Sequence, residues 1–163
     1  MSYVTVFEIT QKPFQWWFSA FGLIFIVVGT VFLLIARKWP SQKRAKGTGL
    51  FMVIFASCWT LGTFAWTFSQ YRNCMKAYRN GSYSVLEGYV QDFQPMPYEG
   101  HQEECFRVKS QTFCYSDYGI QAGFNHSTSH GGPIRQGLPV RVSYYDGQIL
   151  RLEVGTDTHP SSP

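Results

Sequence analysis

The chain has 163 residues, 18% aromatic and 15% charged, with a formal charge of +4. That length gives room for about one domain, and the composition is too apolar for a disordered protein. The charge excess is also confined. Arg37, Lys38, Lys43, Arg44 and Lys46 put +5 into one short segment, while the other nine of the 14 basic residues stand against ten acidic ones and leave −1 elsewhere. No dispersed basic surface for nucleic acid is implied.

In chain order the first element is a β-prone tail, residues 1–13, opening "MSYVTVFEIT". It suits either an added edge strand or a segment lying at a membrane interface. Residues 14–36 and 49–69 then contain no Asp, Glu, Lys, Arg or His, and each run exceeds 20 residues. At about 1.5 Å of rise per residue either run spans a hydrocarbon layer of about 30 Å, which predicts two transmembrane helices. Two buried helices of a soluble protein would need more covering core than the remaining residues supply. A cleaved signal peptide fits poorly, because the first run lacks a basic leading region and ends in "ARKWP".

The lipid bilayer is therefore the first expected partner. The basic connection, residues 37–48, predicts a cytoplasmic loop in a multi-pass inner (plasma) membrane protein with both termini extracytoplasmic. Arg72, Lys76 and Arg79 beyond the second helix act against that bias. Small residues, Ser19, Gly22, Gly29 and Ala36 on the first helix and Cys58, Gly62, Ala65 and Ser69 on the second, predict a close antiparallel hairpin. Without ionisable groups inside the spans, this chain alone builds no ion pathway.

Residues 70–82 read as a helical extension stopped by Asn80-Gly81. Residues 83–154 alternate short Val-, Tyr-, Phe- and Thr-rich runs with Gly and Pro clusters, and predict antiparallel strands at 84–93, 103–108, 112–116, 140–145 and 149–154. The expected fold class is thus membrane α plus all-β. A transmembrane hairpin precedes a small antiparallel β-barrel or sandwich on the extracytoplasmic side, and residues 155–163 form a disordered tail.

Two hairpins have a readable register. In "VRVSYYDGQILRLEV" a three-residue turn pairs Tyr144 with Leu150, Val142 with Leu152, Val140 with Val154 and Arg141 with Glu153, leaving one face apolar and Gly147 at positive φ. In "ECFRVKSQTFCYSD" a turn about Lys109-Ser110 sets Phe106 against Phe113 and Cys105 against Cys114. Opposed strand positions are close enough for a disulfide, which an oxidising exterior would preserve; the alternative is two reduced cysteines in the cytoplasm. Cys58 and Cys74 have no evident mate.

The segment "FNHSTSHGGPIRQG" is the first candidate contact surface, with Asn125, His126, His130, Gly131, Gly132 and Arg135 in a long loop on a rigid scaffold. His126 and His130 have helical spacing but not a helical sequence. Zinc would need further donors from His101, Glu104 or Asp117, so no metal and no cofactor is predicted. The glycines lack Walker spacing, no G-x-S-x-G context occurs, and no catalytic residue is assigned.

The stretches "RNGSYSVLEGYVQDFQPMPYEGHQEECFRV", "FCYSDYGIQAGFN" and "HGGPIRQGLPVRVSYYDGQILRLEV" resemble a group of small bacterial membrane proteins of unknown function. In these, a helical membrane portion precedes a compact β domain carrying G-x-Y-x-V-x-E-G-x-V and G-G-P-I-x-x-G motifs. The resemblance covers roughly Arg79 to Val154, and it implies the architecture without implying an activity.

The expectation is a non-catalytic inner-membrane protein that presents its β domain to another envelope protein, as an accessory subunit or as an immunity-type protein facing an incoming toxin. Two rivals remain open. One is an envelope hydrolase or metal enzyme using His101, His126 and His130, and the other a membrane-tethered regulator facing the cytoplasm.

Overall fold

The computed structural model describes residues 2–39 and 43–156. Its elements are β1 (Tyr3–Glu8), α1 (Trp17–Ala20), α2 (Gly22–Lys38), α3 (Lys43–Arg79), β2 (Ser84–Gln94), β3 (Glu104–Val108), β4 (Gln111–Tyr115), β5 (Pro139–Tyr145) and β6 (Gln148–Gly155). They fall into two compact units. One is residues 14–69, and the other joins the N-terminal segment through Pro13 to everything from Gln70 onward.

In the first unit the apolar runs are helical as expected. Both helices, Trp17–Lys38 and Lys43–Arg79, are long and apolar enough to cross a membrane. Only 17% and 11% of their most apolar windows are buried, unlike the core helices of a soluble protein. Inside these runs Thr30, Thr63 and Thr67 turn their hydroxyls onto the carbonyls of Ile26, Trp59 and Thr63, at 2.7, 2.8 and 2.8 Å. Such back-bonding satisfies a hydroxyl within an apolar run without a partner from another element.

Ser19, Gly22, Gly29 and Ala36 are all buried, so the first small-residue stripe is the packed one. The second stripe needs correction. The face of α3 that packs contains Gly49, Ala56 and Thr60, whereas Cys58, Ala65 and Ser69 are exposed. Cys58 lies two residues from Ala56, about 200° round a helix, and so on the opposite side. At the closest approach a Cβ on Gly49 would stand 2.8 Å from the Gly29 carbonyl oxygen, and one on Gly29 would stand 3.0 Å from that of Gly49. The connection expected over 37–48 is also shorter than its sequence suggests: Arg37 and Lys38 end α2, and α3 begins at Lys43. Pro40, Ser41 and Gln42 lie outside the described residues, as do residues 157–163 of the expected tail; Gly155 ends β6.

The second unit is built on one six-stranded antiparallel sheet in the order β1-β6-β5-β2-β3-β4. It is an open sheet, with β1 and β4 at its edges, and the N-terminal tail is thereby an edge strand. β2 serves two neighbours in turn: residues 84–89 pair with β5, and residues from Val90 onward pair with β3. The register slips between Gln91 and Gln94, and Asp92 takes φ 49° there. A bulge of this kind bends a long strand. The bend brings β4 back toward β5, and the rings of Phe113 and Tyr144 meet at 5.1 Å. Val90, Phe106, Val108, Phe113, Tyr115, Val140, Val142 and Leu152 form the enclosed core.

Both hairpins form: β3 and β4 hold both expected pairs, and β5 and β6 hold three of the expected four. Cys105 opposes Cys114 and Phe106 opposes Phe113, and a disulfide joins the two cysteines. Along β5 and β6, Val140 opposes Val154, Arg141 opposes Glu153 and Val142 opposes Leu152.

The turn differs from the expected three residues. Asp146 and Gly147, at φ 48° and 73°, form a two-residue turn, and Tyr144 opposes Ile149 rather than Leu150. Asp-Gly supplies two left-handed positions whose twist matches the strands, so the tight turn wins. The odd residue is absorbed as a slip opposite Ser143 and Tyr144. The slip explains how Ile149 and Leu152, three apart, face one core while Leu150 faces the other side.

That other side is covered by the last turns of α3. Leu150 and Ile9 are each 0% exposed and pack with Cys74 and Ala77. α3 then stops in a capped end: Ser82 N–H reaches the Ala77 carbonyl at 2.9 Å, Gly81 N–H reaches that of Tyr78 at 3.3 Å, and Gly81 takes φ 70°. Replacing Leu150 with Ala should cost about 3 kcal/mol by opening a cavity between sheet and helix. Thermal unfolding of the purified protein checks this, and an unchanged midpoint would mean that the helix does not brace the sheet.

Candidate functional site

The histidine loop is held by two carboxyl groups. The first is Glu104 at the start of β3, with a relative exposure of 0%. It accepts from the Tyr115 hydroxyl at 2.5 Å and from the Thr128 amide at 2.9 Å, with the Met96 amide farther away at 3.5 Å. The Thr128 hydroxyl lies between Glu104 Oε1, at 3.1 Å, and the Ile134 carbonyl, at 2.8 Å. Burial, reinforced by the bond to Glu104, pushes the Tyr115 phenol far above its ordinary value. Tyr115 therefore remains a donor at any ordinary pH.

The second carboxyl is Asp117, just after β4. It accepts from the Ser127 amide at 3.0 Å, from the Ser127 hydroxyl, and from His130 Nδ1 at 2.9 Å. His126 Nδ1 stands 3.5 Å from its other oxygen. Burial alone would raise the Asp117 pKa, but the Ser127 hydroxyl and amide and the two imidazoles outweigh it and leave it lowered.

Between these anchors, Thr128–His130 makes a single helical turn that Gly131 closes at φ 94°. The chain then doubles back, with the Gly132 amide 2.7 Å from the Ser127 carbonyl. A Cβ on Gly132 would overlap the His126 carbonyl oxygen, so this position requires glycine.

The expected site residues separate accordingly. His126, His130, Gly131 and Arg135 are exposed, and His126 and His130 share Asp117. Asn125 is half-buried, and its side-chain oxygen accepts from Lys12 Nζ at 3.0 Å. Lys12 also donates to the carbonyls of Gln121 and Gly123, at 2.9 and 2.7 Å, so it ties the N-terminal segment to the start of the loop. Burial lowers the Lys12 ammonium to about 8.

Sequence reading had no signal for Tyr98 and Tyr118, which are 78% and 55% exposed. The Tyr118 ring meets His101 at 4.2 Å and His130 at 6.1 Å, and Tyr98 faces His130 at 6.2 Å. Two loops distant in sequence, those between β2 and β3 and between β4 and β5, thus contribute to one patch of two tyrosines and the imidazoles of His101 and His130, with His126 joined to it through Asp117.

Chemically the patch is suited to contact. Ser127, His130 and Asp117 have the composition of a nucleophilic triad but not its wiring. A relay needs aspartate on one imidazole nitrogen and serine on the other. Here the Ser127 hydroxyl, at 3.2 Å, and Asp117 both approach His130 Nδ1, and Ser127 is 0% exposed.

Nor do the histidines share a point. Among the described residues, the group of three ligand-type side chains within 4.8 Å is Glu103, Cys105 and Cys114, and those two sulfurs are bonded to each other. Compared with protein-family models, with curated proteins and with solved structures, the chain gives no match.

Two outcomes test the two anchors. Glu104→Ala strands the Tyr115 hydroxyl and the Thr128 amide in a buried place, and should lower stability by about 3 kcal/mol, with a smaller loss for Glu104→Gln. Asp117 has a lowered folded pKa, so its contribution is fully present above its unfolded value of 3.8 and is lost as pH falls through the folded one. The gap in melting temperature between wild type and Asp117→Asn should be constant above about pH 5 and close below about pH 3. A gap that survives at acid pH would mean that Asp117 does not hold the loop through its charge.

Proposed function

We propose that this chain is a non-catalytic membrane protein that uses the Tyr98, His101, Tyr118, His126 and His130 patch to bind another protein of the cell envelope. The observation that supports contact over catalysis is the wiring of Ser127 and Asp117 onto the same nitrogen of His130. Exposed tyrosines give large contact area at low entropic cost, and imidazoles beside them add hydrogen bonds. The partner is an accessory-complex neighbour or an incoming toxin.

In this reading the two apolar helices cross the membrane twice. Arg37, Lys38, Lys43, Arg44 and Lys46 keep their connection in the cytoplasm, and both termini and the sheet lie outside. The Cys105–Cys114 pairing supports that side, since thiols are kept reduced in the cytosol.

A photo-crosslinking residue placed at Tyr98 or Tyr118 in intact cells should give an adduct of one discrete mass. The same residue at Val85, exposed elsewhere on the sheet, should give none. In parallel, a membrane-impermeant maleimide should label Cys105 and Cys114 only after external reduction. No adduct at either tyrosine overturns the contact surface, and labelling that needs opened cells but no reductant overturns the orientation.

A further inference from the structure

We propose that the cleft lined by Asn73, Lys76, Ala77, Asn80, Ser82 and Tyr145 binds the phosphate group of an anionic phospholipid. The cleft has a volume of about 230 Å³. Lys76, Ala77 and Asn80 lie three, four and seven residues after Asn73 at the end of α3, so the four share one helix face. Ser82 follows the helix cap, and Tyr145 enters from the end of β5.

The donor chemistry is one-sided. An ammonium, two carboxamides and two hydroxyls line the cleft around the Ala77 methyl group, with no carboxylate among them. Among the described residues, none of these five polar side chains has a hydrogen bond or ion pair within the protein, although each is exposed. Opposing charges lie nearby: Asp146 follows Tyr145 in the turn and its field is felt at Cys74, and Glu8 interacts with Tyr78. The last carbonyls of α3 add partial negative charge, but two of them are spent on the amides of Gly81 and Ser82. Attraction for an anion therefore rests on Lys76, and the amides and hydroxyls supply the fit of donors to phosphate oxygens.

Position selects the lipid over a free anion. This step rests on the reading that residues 49–69 cross the membrane. By the rise of an α-helix, Asn73 lies about 6 Å and Lys76 about 10 Å beyond Ser69. A bilayer adds about 5 to 7 Å of headgroup region to each side of its hydrocarbon core. Asn73 and Lys76, on the continuous α3, thus stand at or just above the depth where lipid phosphates lie.

The test uses the full-length protein purified in a neutral maltoside detergent. It is titrated with phosphatidylglycerol or phosphatidylcholine, and bound lipid is counted by native mass spectrometry. Wild type should retain one phosphatidylglycerol in preference to phosphatidylcholine. Lys76→Gln and Asn73→Asp should each weaken that retention about tenfold, the worth of a charge-assisted hydrogen bond. Arg135→Gln, which removes the same charge from the histidine loop, should leave it unchanged.

Equal retention in wild type and both cleft variants overturns the site, and circular dichroism of the variants separates this from misfolding. Displacement of the lipid by millimolar inorganic phosphate overturns the assignment to a lipid. Extraction of the protein from cell membranes by alkaline carbonate is read separately, and it overturns the membrane-crossing reading beneath the proposal.

Discussion

A carboxyl group taken out of water must be given donors, and Glu104 is the point at which this fold meets that demand. It is buried, pairs with no cation among the described residues, and is served by Tyr115 from the neighbouring strand and by Thr128 from the histidine loop. An unmet buried acceptor costs several times what a satisfied one contributes. Glu104 therefore acts less as a source of stability than as a constraint: only loop conformations that return Thr128 to it are tolerated. With Thr128 fixed, Ser127 and His130 fall on Asp117, and Ile134 is carried into the core.

A second constraint comes from the covering of both faces of β6. A strand whose two faces are buried cannot slide, since a slip of one residue would exchange Ile149 with Leu150 and send each to the wrong core. The slip beside the Asp146-Gly147 turn lets both residues be buried at once. It also explains why the helix extends well past its apolar run: Cys74 and Ala77 are small enough to let the α3 backbone approach the sheet over Leu150. The N-terminal segment takes part, with Ile9 in the same small core and Lys12 bonded to the loop.

These same features mark where the sequence could be read and where it could not. Apolar runs without charge, the Asn80-Gly81 stop and the alternation of the strands are local patterns, and the elements they indicate are present within a few residues. Cys105 opposite Cys114 was legible because a short hairpin has one natural centre. The turn at Asp146-Gly147 was misread because a continuous apolar face and a bulge are indistinguishable until Leu150 is known to have its own core. The packed face of α3 was missed for a similar reason, since Cys58-Gly62-Ala65-Ser69 and Gly49-Ala56-Thr60 are equally plausible stripes until the helix is set against its neighbour. Within the site, the loop residues were visible as Gly-Gly-Pro punctuation. The convergence of Tyr98, His101 and Tyr118 on His130 depends on pairings between distant strands, and no local pattern encodes it.

The distribution of polar groups separates the two ends of the sheet-bearing unit by chemistry. Around His130 the exposed groups are aromatic rings and imidazoles, able both to donate and to accept, with the loop held by buried Glu104 and half-buried Asp117. Around Lys76 they are one ammonium with neutral amides and hydroxyls and no carboxylate, on a helix that continues directly from an apolar run. A surface made for one protein partner gains nothing from being free of carboxylates, whereas a surface held against phosphate oxygens does, because a carboxylate there would repel them. The anchor residues of the loop would be superfluous at a lipid surface, which has no fixed shape to match. The buried and half-buried carboxyls thus fix the shape of one surface, while the other has Lys76 as its one charge and no carboxylate in its lining.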